Sequence, residues 1–198
     1  NMFNQKTGEW VFHAGPVFAE IVLADEINRA SPKTQSALLE VMEEAQVTVD
    51  GVRRPAPQPF MVIATQNPVE QAGTYPLPEA QLDRFLMKTS IGYPSRSAMI
   101  DVLDGSASPD RSKNLKPLLS GKDIVAWAAL ASANHTDRAV LDYVAALAEA
   151  TREDESSLLG VSTRGAIGMV RCARVWAAAQ GRNFVLPDDI KALAVPVW

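Results

Sequence analysis

The hexapeptide Ile21-Val22-Leu23-Ala24-Asp25-Glu26 decides how this chain is read. Four apolar residues of strand length run straight into two adjacent carboxylates. An unbroken apolar run of that length fits a parallel strand buried on both faces. One carboxylate at a strand's tip is ordinary. Two neighbours repel each other, and both favour solvent over the crevice at a strand's C-terminal end. A divalent cation there resolves the conflict: Asp25 holds the ion, directly or through water, and Glu26 polarises a water beside it. A solvated strand end followed by a loop is the plain alternative.

Working outward, Ser31-Pro32 supplies an N-cap followed by proline at the first helical position. Ala37, Leu38, Val41, Met42 and Ala45 follow at helical spacing, with Glu40, Glu43 and Glu44 on the other side. Val47, Val49 and Val52 around Asp50-Gly51 predict a tight hairpin, whose exit is stiffened by Pro55, Pro57 and Pro59. Phe60 to Thr65 reads as a second buried strand, and Leu86 to Ile91 as a weaker third. Residues 105–117 are rich in Ser, Pro, Asp and Lys and read as a linker. Beyond it the pattern is helical throughout. Ser120 with Asp123 caps one helix, and Asp137 opens another with Val140, Leu141, Val144, Leu147 and Ala148 on one face. A third runs from Ser162 to Gln180 and stops at Gly181; Pro187-Asp188-Asp189 opens a short last one.

Composition narrows the function classes. At about 150 residues per domain, 198 residues hold one full domain and a small one. No apolar run approaches the roughly 18–20 residues of a membrane span, and the opening residues contain no signal-like apolar region. A net charge of −4 argues against a general polyanion binder, which makes nucleic acid an unlikely partner. The single cysteine, Cys172, excludes an internal disulfide and a cysteine-cluster metal site, and with only His13 and His135 besides it argues against a structural zinc. These features predict a soluble, reduced, cytoplasmic protein.

Three more residues stand where chemistry would need them. Asn67 follows the second strand, and ligands of open α/β sheets bind off the carboxyl ends of strands; turn chemistry explains Asn-Pro equally well. Arg84 closes the short helical segment Pro78 to Phe85, as a dipole-stabilised or Asp83-paired cation or as a finger for a neighbouring subunit's nucleotide. Arg164 sits just inside a helix start, where a cation is disfavoured unless an anion lies opposite.

Together and in this order these residues resemble one family. The runs Ala24-Asp25-Glu26-Ile27-Asn28-Arg29-Ala30, Lys33 to Glu40, Ile63-Ala64-Thr65-Gln66-Asn67-Pro68 and Gly73-Thr74-Tyr75-Pro76-Leu77-Pro78-Glu79-Ala80-Gln81-Leu82-Asp83-Arg84-Phe85 look like the MoxR family of AAA+ ATPases. The resemblance covers essentially the whole chain. It implies an α/β fold: the C-terminal part of an AAA+ P-loop NTPase core, a parallel sheet with helices, followed by an all-α helical lid. It divides the chain into core (1–94), helix and linker (95–117) and lid (118–198). The implied cofactors are ATP and Mg²⁺. Asp25 and Glu26 become Walker B, with Asp25 on the metal and nucleotide and Glu26 catalytic. Asn67 becomes sensor 1, Arg84 the arginine finger and Arg164 the nucleotide-binding sensor 2. The family usually shows Gly-Ala-Ser-Pro-Arg where this chain has Gly160-Val161-Ser162-Thr163-Arg164, which keeps the arginine and loses the proline. The hairpins Phe3 to Phe12 and Val47 to Val52 resemble family insertions that face the pore of a ring, although a solvated turn with Arg53 and Arg54 at its base reads as well. The implied partners are further copies in a ring, a hexamer, and remodelled proteins, often with von Willebrand factor A domains.

No Gly-x-x-x-x-Gly-Lys-Ser/Thr occurs; Gly121-Lys122-Asp123 lacks the upstream glycine and reads as a helix start. The chain also opens where the family is already past its first two strands, so it reads as a fragment whose sheet would expose apolar edges. A non-hydrolysing interaction module is the alternative to an ATPase, and a DNA-translocating motor is disfavoured by the acidic charge. The P-loop backbone and lysine supply most phosphate binding in this class. These 198 residues alone are therefore expected to bind ATP weakly and not to hydrolyse it. Turnover by this chain that Glu26→Gln abolishes would overturn that expectation.

Overall fold

The computed structural model describes residues 2–4, 8–67, 73–104 and 115–198. Most of the expected linker, and Pro68, lie outside them. The chain divides into two compact units: Asn1–Phe85 with Val125–Ala129, and Leu86–Ile124 with Leu130–Trp198.

The first unit is built on a parallel pair, β3 (Ile21–Ala24) and β6 (Met61–Ala64), in the register Ile21↔Met61 to Ala24↔Ala64. Of two antiparallel hairpins, one precedes the pair in sequence and one lies between its strands. One is β1 (Met2–Asn4) with β2 (Glu9–Val11), the other β4 (Gln46–Val49) with β5 (Val52–Pro55). The second turns through Asp50 and Gly51, both at positive φ (52° and 76°), as the Asp-Gly pair predicts. At its base Arg54 lies over the Phe12 ring at 3.6 Å, and Phe12 meets Phe18 edge to face at 5.5 Å. That places an apolar floor, rather than solvent alone, beneath one of the two arginines.

Helix α1 (Pro32–Glu44) connects β3 to the second hairpin and covers one face of the parallel pair. It starts where Ser31 stays extended and its Oγ accepts the Thr34 N–H, with Pro32 preset for the first turn. Its buried face is not quite the predicted one. Ala37 and Ala45 are exposed, whereas Gln35, Leu39 and Val41 are buried. Leu39 is fully enclosed with Ile27 and Leu77, and Ala24, Ala64, Leu38, Met42, Leu82 and Phe85 pack around them.

Two further expectations are corrected. The strands are covered on one face only: Ile21, Leu23, Met61 and Ile63 on the other are 44–66% exposed. The apolar runs suit a sheet covered twice; among the described residues the second cover is lacking. Residues 86–91 form no strand. A strand needs a neighbour for its backbone, and here the Lys88 N–H is instead taken by the Pro196 carbonyl at 2.7 Å, while Ile91 is fully exposed.

The second unit contains α3 (Arg96–Leu103), most of α4 (Gly121–Ser132), α5 (Arg138–Glu153), α6 (Thr163–Ala179) and α7 (Pro187–Val197). The expected helix starts at Ser120 with Asp123 and at Asp137 on the Ala139 N–H are present, and Ser162 caps α6 by accepting the Gly165 N–H. Helix α6 ends at Gly181, with φ 74°. Val140, Val144, Met169, Ala173, Ala177, Ile190 and Leu193 form the core of α5, α6 and α7. Leu141, expected inside, is 39% exposed.

One ion pair, of a buried Asp189 with a partly exposed Arg182, ties the α6–α7 turn. Arg182 Nη2 and Nη1 bond both oxygens of Asp189 at 2.5 and 2.9 Å, and Asp189 also caps α7 through the Leu186 N–H at 2.8 Å. The Arg182 guanidinium holds the Asp189 carboxyl below the usual carboxylate range. A depressed pKa adds stability above the ordinary value of about 4, lost as pH falls through the folded-state value. Asp189→Asn should lower unfolding free energy by about 1.5–3 kcal/mol at pH 7. Urea titrations followed by helix circular dichroism should show that difference shrinking towards pH 3.

Candidate functional site

The tip of β3 is held by a single hydroxyl. Thr65, just past β6, accepts the Glu26 N–H on Oγ1 at 2.8 Å and donates the same hydroxyl's proton to Asp25 Oδ1 at 2.5 Å. Its backbone extends the ladder, with Thr65 N–H to the Ala24 carbonyl at 3.0 Å and Ile27 N–H to the Thr65 carbonyl at 2.9 Å. Glu26 is thereby fixed in the left-handed region, φ 48° and ψ 51°. That conformation costs a non-glycine residue about 1–2 kcal/mol. It starts a 3-10 turn at Ile27–Arg29, and the Glu26 carboxylate meets Arg29 Nε at 3.0 Å. Both partners are well exposed, so the pair steers the side chain more than it stabilises the fold.

Asn67 follows two residues after Thr65, and its carbonyl accepts Asn28 Nδ2 at 3.0 Å. The C-terminal ends of β3 and β6 thus bring Asp25, Glu26 and Asn67 onto one hydrogen-bonded turn. Arg84 stands after the four-residue helix α2 (Glu79–Leu82) in the same unit. Its Nη2 pairs with Glu43 of α1 at 3.3 Å, across the fold rather than with neighbouring Asp83. Arg164 belongs to the second unit, in the first turn of α6, where it is exposed. The N-cap Ser162 keeps its bond there although Thr163 stands where the family's proline does. Gly160 is required nearby, since a Cβ would come within 2.3 Å of Arg152 Cγ.

The donor set suits a hard cation. Asp25 is exposed and uses Oδ1 for Thr65, while a carboxylate has about four acceptor positions. Among the described residues no three His, Cys, Asp or Glu side chains gather as a cage. An ion that keeps several waters and takes one or two carboxylates plus phosphate oxygens fits such a tip, and Mg²⁺ does so. Three residues of this arrangement drew no attention as functional in the sequence: Thr65, Asn28 and Gln35. Thr65 carried one usable signal, a hydroxyl at the end of a strand expected to adjoin β3.

Residues 1–87 match the model of the ATPase family associated with various cellular activities (AAA), and residues 149–198 match the AAA lid domain. The chain is 46% identical over 194 residues to YeaC of Bacillus subtilis, covering 98% of this chain and 61% of YeaC. It is 41% identical over 199 residues to the chaperone MoxR1 of Mycobacterium tuberculosis, covering 96% and 52%. The chain belongs to the MoxR family of AAA+ ATPases. A Cytophaga hutchinsonii crystal structure superposes on this MoxR-type chain with a TM-score of 0.88 at 40% identity, covering 99% of this chain and 62% of that one. A full-length MCM homologue from Methanopyrus kandleri, 22% identical with a TM-score of 0.59 over 88% of this chain and 35% of its own, shares the fold alone. The MoxR-type chain spans between half and three-fifths of the length of its curated relatives, 52% of MoxR1 and 61% of YeaC. Among its described residues no helix is long and apolar enough to cross a membrane.

Replacing the Thr65 hydroxyl by a methyl leaves the Glu26 N–H without its acceptor and Asp25 without its donor. Thr65→Val should cost about 1–3 kcal/mol in urea unfolding, while Thr65→Ser stays close to wild type.

Proposed function

We propose that the full-length protein is a cytoplasmic, Mg²⁺-dependent ATPase that works as a hexameric ring to remodel or activate partner proteins. The Thr65 clamp carries this reading, because it fixes the Asp25 carboxylate and the Glu26 backbone together, two residues before Asn67. Bound ATP and Mg²⁺ supply the phosphoanhydride and the positive charge that offsets its departing phosphate. Asp25 would hold the metal, its Oδ1 already being engaged by the Thr65 hydroxyl. Glu26 takes a hydrogen bond from the attacking water and orients it, and Asn67 holds that water without adding charge. Arg84 would exchange Glu43 for the nucleotide of the neighbouring subunit; fingers of this kind are worth about 10³–10⁵ in rate. Arg164 contributes from the lid. Proteins with von Willebrand factor A domains are the proposed partners.

In the full-length protein, Glu26→Gln should retain nucleotide binding and abolish turnover. Arg84→Ala should lower kcat about a thousandfold or more with nucleotide affinity unchanged. Mixing the two variants should restore measurable turnover, since each ring then contains sites with both an intact Glu26 and a neighbour's intact Arg84. Unchanged turnover in Arg84→Ala would remove that residue from the mechanism.

A further inference from the structure

Asn28 and Gln35 are the buried polar side chains of the first unit, 7% and 3% exposed among the described residues. The reaction proposed above gives neither a role. Their hydrogen bonds all run to main chain in the segments that carry the site. Asn28 Nδ2 donates to the Asn67 carbonyl at 3.0 Å, and the Asn28 carbonyl accepts the Tyr75 N–H at 2.6 Å. Gln35 Nε2 donates to the Ile27 carbonyl at 3.1 Å and to the Tyr75 carbonyl at 2.9 Å. Tyr75 is thus held at both its N–H and its carbonyl. From there the chain passes through Leu77, enclosed with Ile27 and Leu39, into α2 and Arg84.

Stability alone does not account for an amide at position 28. Its donor must face the Asn67 carbonyl, which fixes the orientation of the group and leaves Oδ1 buried with no partner among the described residues. A buried acceptor without a donor is destabilising, and an apolar side chain of similar size would avoid it. What the amide provides instead is a fixed distance between the turn after Glu26 and the backbone of Asn67.

We infer that Asn28 and Gln35 are positioning residues: they hold Glu26 and Asn67 in register with the segment bearing Arg84, so that a subunit's own hydrolytic site and the arginine it offers its neighbour move together. The inference rests on the ATPase reading above. Displacement of a positioned group by about 1 Å can cost a hundredfold in rate, so the expected effect lies in kcat rather than in nucleotide affinity.

The test uses the full-length protein with Asn28→Asp, which keeps the size but sets an oxygen against the Asn67 carbonyl, and Gln35→Met, which keeps the length but has no donor. Steady-state hydrolysis of MgATP and amide hydrogen exchange without nucleotide are measured on each. We expect kcat to fall tenfold to a hundredfold with KM within twofold. We also expect exchange at Tyr75 and through residues 73–85 to accelerate at least tenfold, while amides inside α1 stay at wild-type rates. Wild-type kcat in both variants would overturn the inference. So would acceleration spread evenly through α1, which marks a merely structural role. Should Asn28→Asp fail to fold, Asn28→Ser with Gln35→Met decides the matter by the same readouts. If the wild-type protein shows no Glu26-dependent turnover, the ATPase reading is what fails. Local acceleration at Tyr75 would then still uphold the coupling, and its absence would overturn that as well.

Discussion

The Thr65 hydroxyl accepts the Glu26 N–H and gives its only proton to Asp25, and this fixes the backbone on which the candidate site stands. The two bonds require Thr65 to lie beside the tip of β3, which the Ala24↔Ala64 register ensures. A slip of one residue would bring Ala64 or Gln66 to that place and turn every side chain of β6 to the opposite face. The register is in turn held by packing. Ala24 and Ala64 are small and face the cluster around Leu39, so α1 settles on them closely. Elements from residue 21 to residue 85 thus converge on the geometry of one turn.

The parallel pair shows how much of a sheet's character lies in its surroundings. Ile21 and Leu23 are as apolar as Val22 and Ala24, yet only the second pair lies on the side that α1 covers. Backbone pairing sets the alternation of faces, while cover is supplied by whatever packs upon them. In the helical unit the division of labour differs. Its core comes from three helices whose ends are tied by short polar contacts, with Asn134 Nδ2 bonded to the Arg174 and Arg182 carbonyls at 3.0 Å each. Apolar stripes there bring the helices together, and the amide and the Asp189–Arg182 pair fix where they stop.

Local chemistry made much of the fold legible. Ser31-Pro32, Asp50-Gly51, Asp137 and Gly181 each act within a few residues, so their effect can be read without knowing the fold. An α/β first half followed by a helical second half could be read from the order of such signals, and the family resemblance made that second half a lid. Periodicity was less faithful on α1, because Ala37 and Ala45 count as apolar but are too small to demand burial, while Gln35 counts as polar and is buried. Gln35 is satisfied by carbonyls at positions 27 and 75, the second of them forty residues away, and no window of sequence contains both. The adjacent carboxylates of Asp25 and Glu26 announced themselves by their mutual repulsion. Thr65 and Asn28 did not, since each acts on groups thirty-nine or forty residues distant. Arg84 was noticed for its place at a helix end, but its partner Glu43 belongs to another helix.

That Glu43 pair has an entropic side. An arginine carries about 2 kcal/mol of rotamer freedom, and part of it is surrendered once the guanidinium rests 3.3 Å from a carboxylate. An incoming anion that takes over from Glu43 meets a side chain already partly ordered, and it replaces one negative partner with another. Both side chains remain partly exposed, so the bond being given up is worth no more than about 1 kcal/mol. Such an exchange depends on ionic strength, since salt screens the exposed bond to Glu43 that must be given up.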